Sequence, residues 1–387
     1  MADSMKSGFR FALCACIVLL AGCGGTGGGT STGGGTGTGG GGGTTQAATP
    51  TISAATTANT QNGAQMVTLT ATAGATIYYT IDGTTPTTSS IVYEAPFLVA
   101  SNLTVNAIAT APGDSNSSVT TKTFSPNIAA GTLVWSDEFS NSTSASAGPD
   151  STVWTYDTGN NSGWGNHELE DYCASGSTAA PCSTTTPNAF VAPGGGLNIV
   201  AEQPSSGVYT SARMKTEGLF SFQYGRIEIQ ASVPEAQGFW PAFWLLGNNI
   251  NTASWPACGE MDVLERIDAA GSPDWNAGSI HGTGFTGGNI GIDYDFPTGQ
   301  TAATPHTYGM NWSKGSVEYY VDDPTKPYAS FTPSSISGFS GSVWPFDSGP
   351  NFILINLAVG GDWPGSPNAS TPFPSTMLVD YVRIYTN

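Results

Sequence analysis

The chain has 387 residues, only 10% of them charged, and its 28 Asp and Glu outnumber its 10 Lys and Arg to give a net charge of −18. That length predicts about two domains. The acidic excess excludes nucleic acid as a partner and repels sulfated or carboxylated polymers, whereas a neutral ligand meets no long-range penalty. With 10 Trp and 14 Tyr beside so few cations, the composition suits neutral, hydroxyl-rich ligands with apolar faces, so sugars are the first expectation.

Lys6 and Arg10 precede an apolar run, Phe11 to Leu20, too short to span a bilayer and suited to a secretory leader over residues 1–22. Leu20-Ala21-Gly22-Cys23 resembles the lipobox of bacterial lipoproteins. That resemblance implies that Cys23 is lipidated, that this lipid is the chain's one membrane contact, and that the protein faces outward from the bacterial cell envelope; an ordinary small-residue cleavage site is the alternative. From Gly24 to Gly43, 14 of 20 residues are glycine, a composition that cannot bury apolar surface, so residues 23–48 read as a flexible tether. Cys173 and Cys182, nine residues apart, close a small loop and are candidates to pair in an oxidising compartment, which leaves Cys258 as an odd buried thiol.

Residues 49–126 alternate in short bursts, Val67/Leu69/Ala71, Ile77/Tyr79/Ile81 and Leu103/Val105/Ala107/Ala109, punctuated by Asp82-Gly83 and Pro112-Gly113. That pattern predicts a small antiparallel sandwich. The run from Ala75 to Pro86, followed by Tyr93 and Pro96-Phe97, resembles the immunoglobulin-like module at the C-terminus of chitobiases, which serves here as a spacer or as a glycan-binding module. Residues 131–387 show no long helical period but many period-two segments, among them Arg226–Gln230 and Val317–Val321, and Asn351–Val359 is apolar enough for a strand covered on both faces. The prediction is an all-β chain whose larger domain is a two-sheet jelly-roll sandwich.

Glu260-Met261-Asp262-Val263-Leu264-Glu265 puts three carboxylates on a segment otherwise fit for a buried strand. A regular strand aims residues 260, 262 and 264 at one face and Glu265 at the other. Bringing all three carboxylates to one cleft requires an extra residue, a β-bulge around Val263 or Leu264. Paired carboxylates carry out glycoside hydrolysis, and a separation of roughly 5–5.5 Å permits a covalent glycosyl-enzyme and retention of configuration. Like charges so close do not all ionise, so one carboxyl keeps its proton as the acid while another attacks.

The motif Glu260 to Glu265, preceded by Trp255-Pro256-Ala257-Cys258-Gly259, resembles the bulged signature of glycoside hydrolase family 16 and its laminarinase branch, the endo-β-1,3-glucanases. The likeness runs through Trp135–Phe139, Gly163–Glu168, Ala212–Thr216, Gly238–Trp244, His306–Tyr308, Asn356–Gly365 and Val379–Tyr385 in that order. Lichenase-type relatives use an unbulged motif one residue shorter. The resemblance implies Glu260 as nucleophile, Asp262 as its assistant and Glu265 as general acid/base. It places Trp240 and Trp244 in the cleft, with Trp255 close by in sequence; core packing is the alternative for each. Asn166 and Arg213 are expected to bond hydroxyls at the donor subsites or to serve as structural hydrogen-bonders. His281 is expected on the strand beside the acids, as a site residue or a satisfied core histidine. Catalysis needs no cofactor in this reading, and Glu138, Gly195 and Asp380 match positions that hold a structural calcium in the family. The implied protein is a monomeric enzyme acting on neutral β-glucan. Mixed-linkage glucan or agarose as substrate, or a non-catalytic glucan-binding protein, are the alternatives.

Overall fold

The computed structural model describes residues 45–268, 274–287, 290–336, 339 and 344–387; the leader, Cys23 and most of the tether lie outside them. The N-terminal part is a sandwich of a three-stranded sheet, Thr51–Ala55, Gln65–Thr70 and Phe97–Val99, on a four-stranded one, ordered Ile91–Val92, Thr76–Thr80, Leu103–Thr110 and Thr120–Phe124. The residues that alternate in the sequence, Val67, Leu69, Ile77, Tyr79, Val105 and Ala107, are its buried core. At the expected turn, Gly83 takes a φ of +79°, a conformation that a Cβ disfavours, and Asp82 Oδ1 accepts from the Thr84 N–H at 3.0 Å.

The larger part is a jelly-roll sandwich of a ten-stranded and a seven-stranded sheet. The seven-stranded sheet runs in the order Gly291–Asp295, Trp275–His281, Glu260–Glu265, Phe239–Gly247, Asn351–Val359, Arg213–Lys215 and Thr155–Asp157. Its two middle strands, Phe239–Gly247 and Asn351–Val359, pair antiparallel over their whole length and are buried throughout, as the continuous apolar run predicts. One face of this sheet packs on the ten-stranded sheet through Phe243, Leu245, Ile353, Ile355 and Leu357 against Ile227, Ile229, Met310, Val382 and Ile384. The other face carries the polar and aromatic side chains of the site. Among the described residues the only α-helical element is a single turn, Ile250–Ala253.

The small sandwich is hydrogen-bonded to the large one. The Gln61 N–H donates to Val134 O, the Ser136 N–H to Asn59 O and the Leu98 N–H to Ser221 O, at 2.9, 3.0 and 2.9 Å. Ala64 and Met66 of the small sandwich are buried in the core of the large one.

Candidate active site

The acidic strand Glu260–Glu265 pairs with Phe239–Gly247, and the register jumps from Phe243 opposite Leu264 to Trp244 opposite Asp262. Val263 is therefore the extra residue, and the bulge required by the spacing of the acids is present at the position expected. Met261, Val263 and Leu264 all join the main core. Two adjacent residues on the core side reset the alternation, so Glu260, Asp262 and Glu265 line one depression together with Asn166, Glu168, Arg213, Trp240, Trp244 and Asn356. The three carboxyl residues are only 1%, 3% and 3% exposed, so protein donors rather than bulk water must solvate them.

Those donors come from the neighbouring strands and the loop before the motif. Trp255 Nε1 donates to Glu260 Oε2 at 2.8 Å, and Trp240 Nε1 to Glu265 Oε1 at 3.1 Å. Ser279, opposite Asp262 on the adjacent strand, donates through Oγ to Asp262 Oδ2 at 2.8 Å and lies 3.4 Å from Glu265 Oε2. His281, opposite Glu260, is fully buried with Nε2 3.2 Å from Asp262 Oδ2 and 3.9 Å from Glu260 Oε1. Behind them, Tyr319 donates its hydroxyl to Ser279 O at 2.6 Å. Burial first, then the charges of Asp262 and Glu260, push this phenol well above its ordinary range, so it stays a donor. Glu260, Asp262 and His281 bring one ligand atom each within 4.8 Å of one another; a cation there would occupy the carboxylates that hydrolysis needs.

On the side toward Arg213–Lys215, the Arg213 guanidinium lies over the rings of Trp244 and Trp164, at 4.7 and 5.2 Å, and its Nε is 3.0 Å from Asp157 Oδ2. Asn166 Nδ2 donates to Glu168 Oε1 at 3.1 Å, and Trp244 Nε1 donates to Asn356 Oδ1 at 2.8 Å. Trp240 and Trp244 are 4% and 5% exposed. Both line the acidic depression as its floor, holding Glu265 and Asn356 through their indole N–H groups. The half-buried rings are Trp255, Trp164 and Trp363. Trp164 and Trp255 line an adjoining cavity of 580 Å³ that shares Arg213 with the acidic depression. Trp363 packs edgewise on Trp240, with ring centroids 5.3 Å apart. His167 pairs with Asp362 at 2.9 Å and so ties the loop of Asn166 to the loop of Trp363.

Sequence reasoning missed Ser279, Asn276, Glu168, Trp164 and Trp363. The two tryptophans carried a signal, since each lies in a glycine-rich loop where a large ring has no strand to pack along. Ser279 carried none before the register put it opposite Asp262, and Asn276 none before folding brought its side chain to the main chain of Val263 and Glu265, past the end of that ladder.

Cys173 and Cys182 form a disulfide, and Cys258 is buried in a cluster with Ala242, Trp244 and Leu246. The three positions expected at a calcium site are brought near one another by register. Strand Ser375–Tyr385 is flanked by Leu133–Asp137, with Asp137 opposite Val382, and by Leu197–Ser205, with Leu197 opposite Val379. Glu138 and Gly195 thus meet beside Asp380, which the pairing with Gly225–Ser232 skips between Val379 and Tyr381. Both Glu138 carboxylate oxygens accept from Arg383, at 2.9 and 2.8 Å. A calcium ion there would draw on the Asp380 carboxylate and main-chain carbonyls rather than on the Glu138 carboxylate, which Arg383 holds.

A β-sandwich that turns three carboxylates onto one face, with indole and hydroxyl donors fixed on them, defines a glycosidase of the two-carboxylate class. The chain belongs to the glycosyl hydrolases family 16, whose sequence profile matches residues 177–383. Residues 67–124 match the family described as Fn3 associated, where the sequence reading named the chitobiase module. The chain is 35% identical over 292 residues to glucan endo-1,3-beta-glucosidase A1 of Niallia circulans, covering 67% of this chain and 38% of that one. It is 37% identical over 268 residues to a beta-glucanase of Rhodothermus marinus, covering 65% of this chain and 84% of that one. The solved laminarinase catalytic domain of Thermotoga maritima superposes with a TM-score of 0.57 at 37% identity, covering 67% of this chain and 99% of that one.

Proposed function

We propose that this glycoside hydrolase cleaves β-1,3-glucan chains internally, with retention of configuration, using Glu260 as nucleophile, Glu265 as general acid/base and Asp262 to orient and tune both. The observation that carries the proposal is the bulge at Val263, which turns Glu265 to the face of Glu260 and Asp262. Glu260 attacks the anomeric carbon while Glu265 gives its proton to the departing glycosidic oxygen, leaving a glycosyl ester on Glu260. Water then attacks that carbon, losing its proton to Glu265, and the Glu260 carboxylate is released. Two side chains tie the acids into one cluster around Asp262: His281 reaches Asp262 and Glu260, and Ser279 reaches Asp262 and Glu265. Retention requires Glu260 and Glu265 to stand roughly 5–5.5 Å apart, without room for the extra water of an inverting enzyme. Donor sugars extend from the acids past Arg213 into the cavity lined by Trp164 and Trp255, where half-buried rings offer faces to pyranoses.

Release of reducing ends from laminarin, lichenan and agarose side by side tests the reading. Laminarin is expected to be fastest. Faster release from agarose overturns the linkage assignment, and no release from any of them by folded protein leaves a glucan-binding protein.

The same proposal places the chain, as a monomer, on the outward face of a bacterial envelope through a lipid on Cys23. Cys23→Ser is expected to leave the membrane fraction, since the glycine-rich tether supplies no anchoring free energy. Calcium at Asp380 is proposed as structural only, remote from the acids, and EDTA is expected to lower Tm without removing activity at temperatures where the fold persists.

A further inference from the structure

The ladder between the acidic strand and Trp275–His281 stops at Asp262 opposite Ser279. Beyond that point the bulge would leave main-chain groups at Val263 and Glu265 without strand partners, in a place closed to water. The Asn276 side chain takes them both. Its Oδ1 accepts from the Glu265 N–H at 3.2 Å, and its Nδ2 donates to Val263 O at 3.1 Å. The same Nδ2 lies 3.2 Å from Ala277 O and 3.1 Å from the Tyr328 hydroxyl, and the residue is fully buried. A carboxamide is the neutral group with both an acceptor and two donors on one planar centre, so it fastens both sides of Leu264 with a single side chain.

We infer that Asn276 is a positioning residue for Glu265: its carboxamide closes the ladder at the bulge and so fixes the direction along which Glu265 delivers and removes the proton. It touches neither substrate nor the reacting atoms. The inference rests on Glu265 being the general acid/base.

A misplacement of about 1 Å at a reacting group costs on the order of a hundredfold. The defect should appear only where a proton must be delivered. The test is kcat/KM, which reports the glycosylation step, on laminarin and on a dinitrophenyl β-1,3-oligoglucoside whose leaving group departs without protonation. For Asn276→Ala, kcat/KM on laminarin should fall roughly tenfold to a hundredfold, while the value on the dinitrophenyl substrate stays within about threefold. Asn276→Asp keeps the volume and the acceptor for the Glu265 N–H but loses the donor to Val263 O, and the same split is expected. Equal loss on both substrates, no loss on either, or failure of both variants to fold overturns the positioning role. Glu265→Ala is the control. If it shows the split and the Asn276 variants do not, the inference fails and the acid/base assignment survives; if Glu265→Ala lacks the split, both fall.

Discussion

Glu260 and Glu265 each receive an indole N–H, from Trp255 and Trp240, so each carboxylate is solvated by the protein although it is closed to bulk water. Removing either acid deletes a chemical step rather than a packing contact. Glu260→Ala and Glu265→Ala should each lose at least about a hundredfold in kcat while keeping the parent Tm. On an activated glycoside, azide should enter the Glu260→Ala site directly and give an inverted product, whereas in Glu265→Ala it should intercept the glycosyl-enzyme and give a retained one. Product stereochemistry by NMR checks this, and the opposite pair of outcomes would exchange the roles. Glu170 is another buried acid, fully closed to solvent. Burial, then the charge of Glu168 and a hydrogen bond to it, hold its carboxyl well above the ordinary range. Its folded pKa is thus raised, so the stability it contributes is present below the unfolded carboxyl value and is lost as pH rises through the folded one. Glu170→Gln, neutral at every pH and still able to accept from the Val359 N–H that Glu170 Oε2 now binds at 2.7 Å, should raise Tm at neutral and alkaline pH and flatten its pH dependence. A lower Tm at alkaline pH would contradict the raised pKa. The acids were legible in the sequence because three carboxylates on an apolar strand break its period. Exposure was not legible: proximity to the motif picked Trp240, Trp244 and Trp255 alike, and only packing separates the two floor rings from the half-buried one.

The bulge is the element on which the site turns, and the sequence demanded it by parity alone. The side chain that closes it was invisible, because Asn276 sits in an unremarkable Trp-Asn-Ala-Gly-Ser run and gains meaning only from a register set by tertiary pairing. Parity also supplies a test. Deleting Val263 leaves Glu265 an even number of residues from Glu260, so its carboxylate still faces the cleft, and measurable hydrolysis should persist at a stability cost of roughly 1–3 kcal/mol for the lost core side chain. Inserting one alanine after Asp262 also makes the separation even, at six residues, but in a regular strand it carries Glu265 two positions, roughly 7 Å, farther from Glu260 than the deletion does. The deletion is therefore the clean case, read by laminarin hydrolysis and Tm. Complete loss of activity in a folded deletion variant would show that face alone does not suffice.

At the scale of the molecule, the sequence separated two all-β regions by their patterning, but the joint between them was not legible, because its main-chain hydrogen bonds, and the polar side chains of Asn59, Gln61 and Asn62 that join them, follow no apolar period. The small sandwich donates or accepts three of them across the joint and buries Ala64 and Met66 in the larger core. Removing residues 1–130 should therefore lower Tm by several degrees, at roughly 1 kcal/mol per hydrogen bond and about 2–4 °C per kcal/mol for a domain of this size, while kcat/KM on soluble laminarin holds. An unchanged Tm would contradict the docked arrangement. The acids themselves are carried by the large sandwich alone, and what they do to the anomeric centre is the central claim. Proton NMR of the first products from laminarin, recorded before mutarotation, tests it most directly: a double displacement through Glu260 should release the β-anomer first, and initial release of the α-anomer would contradict the mechanism.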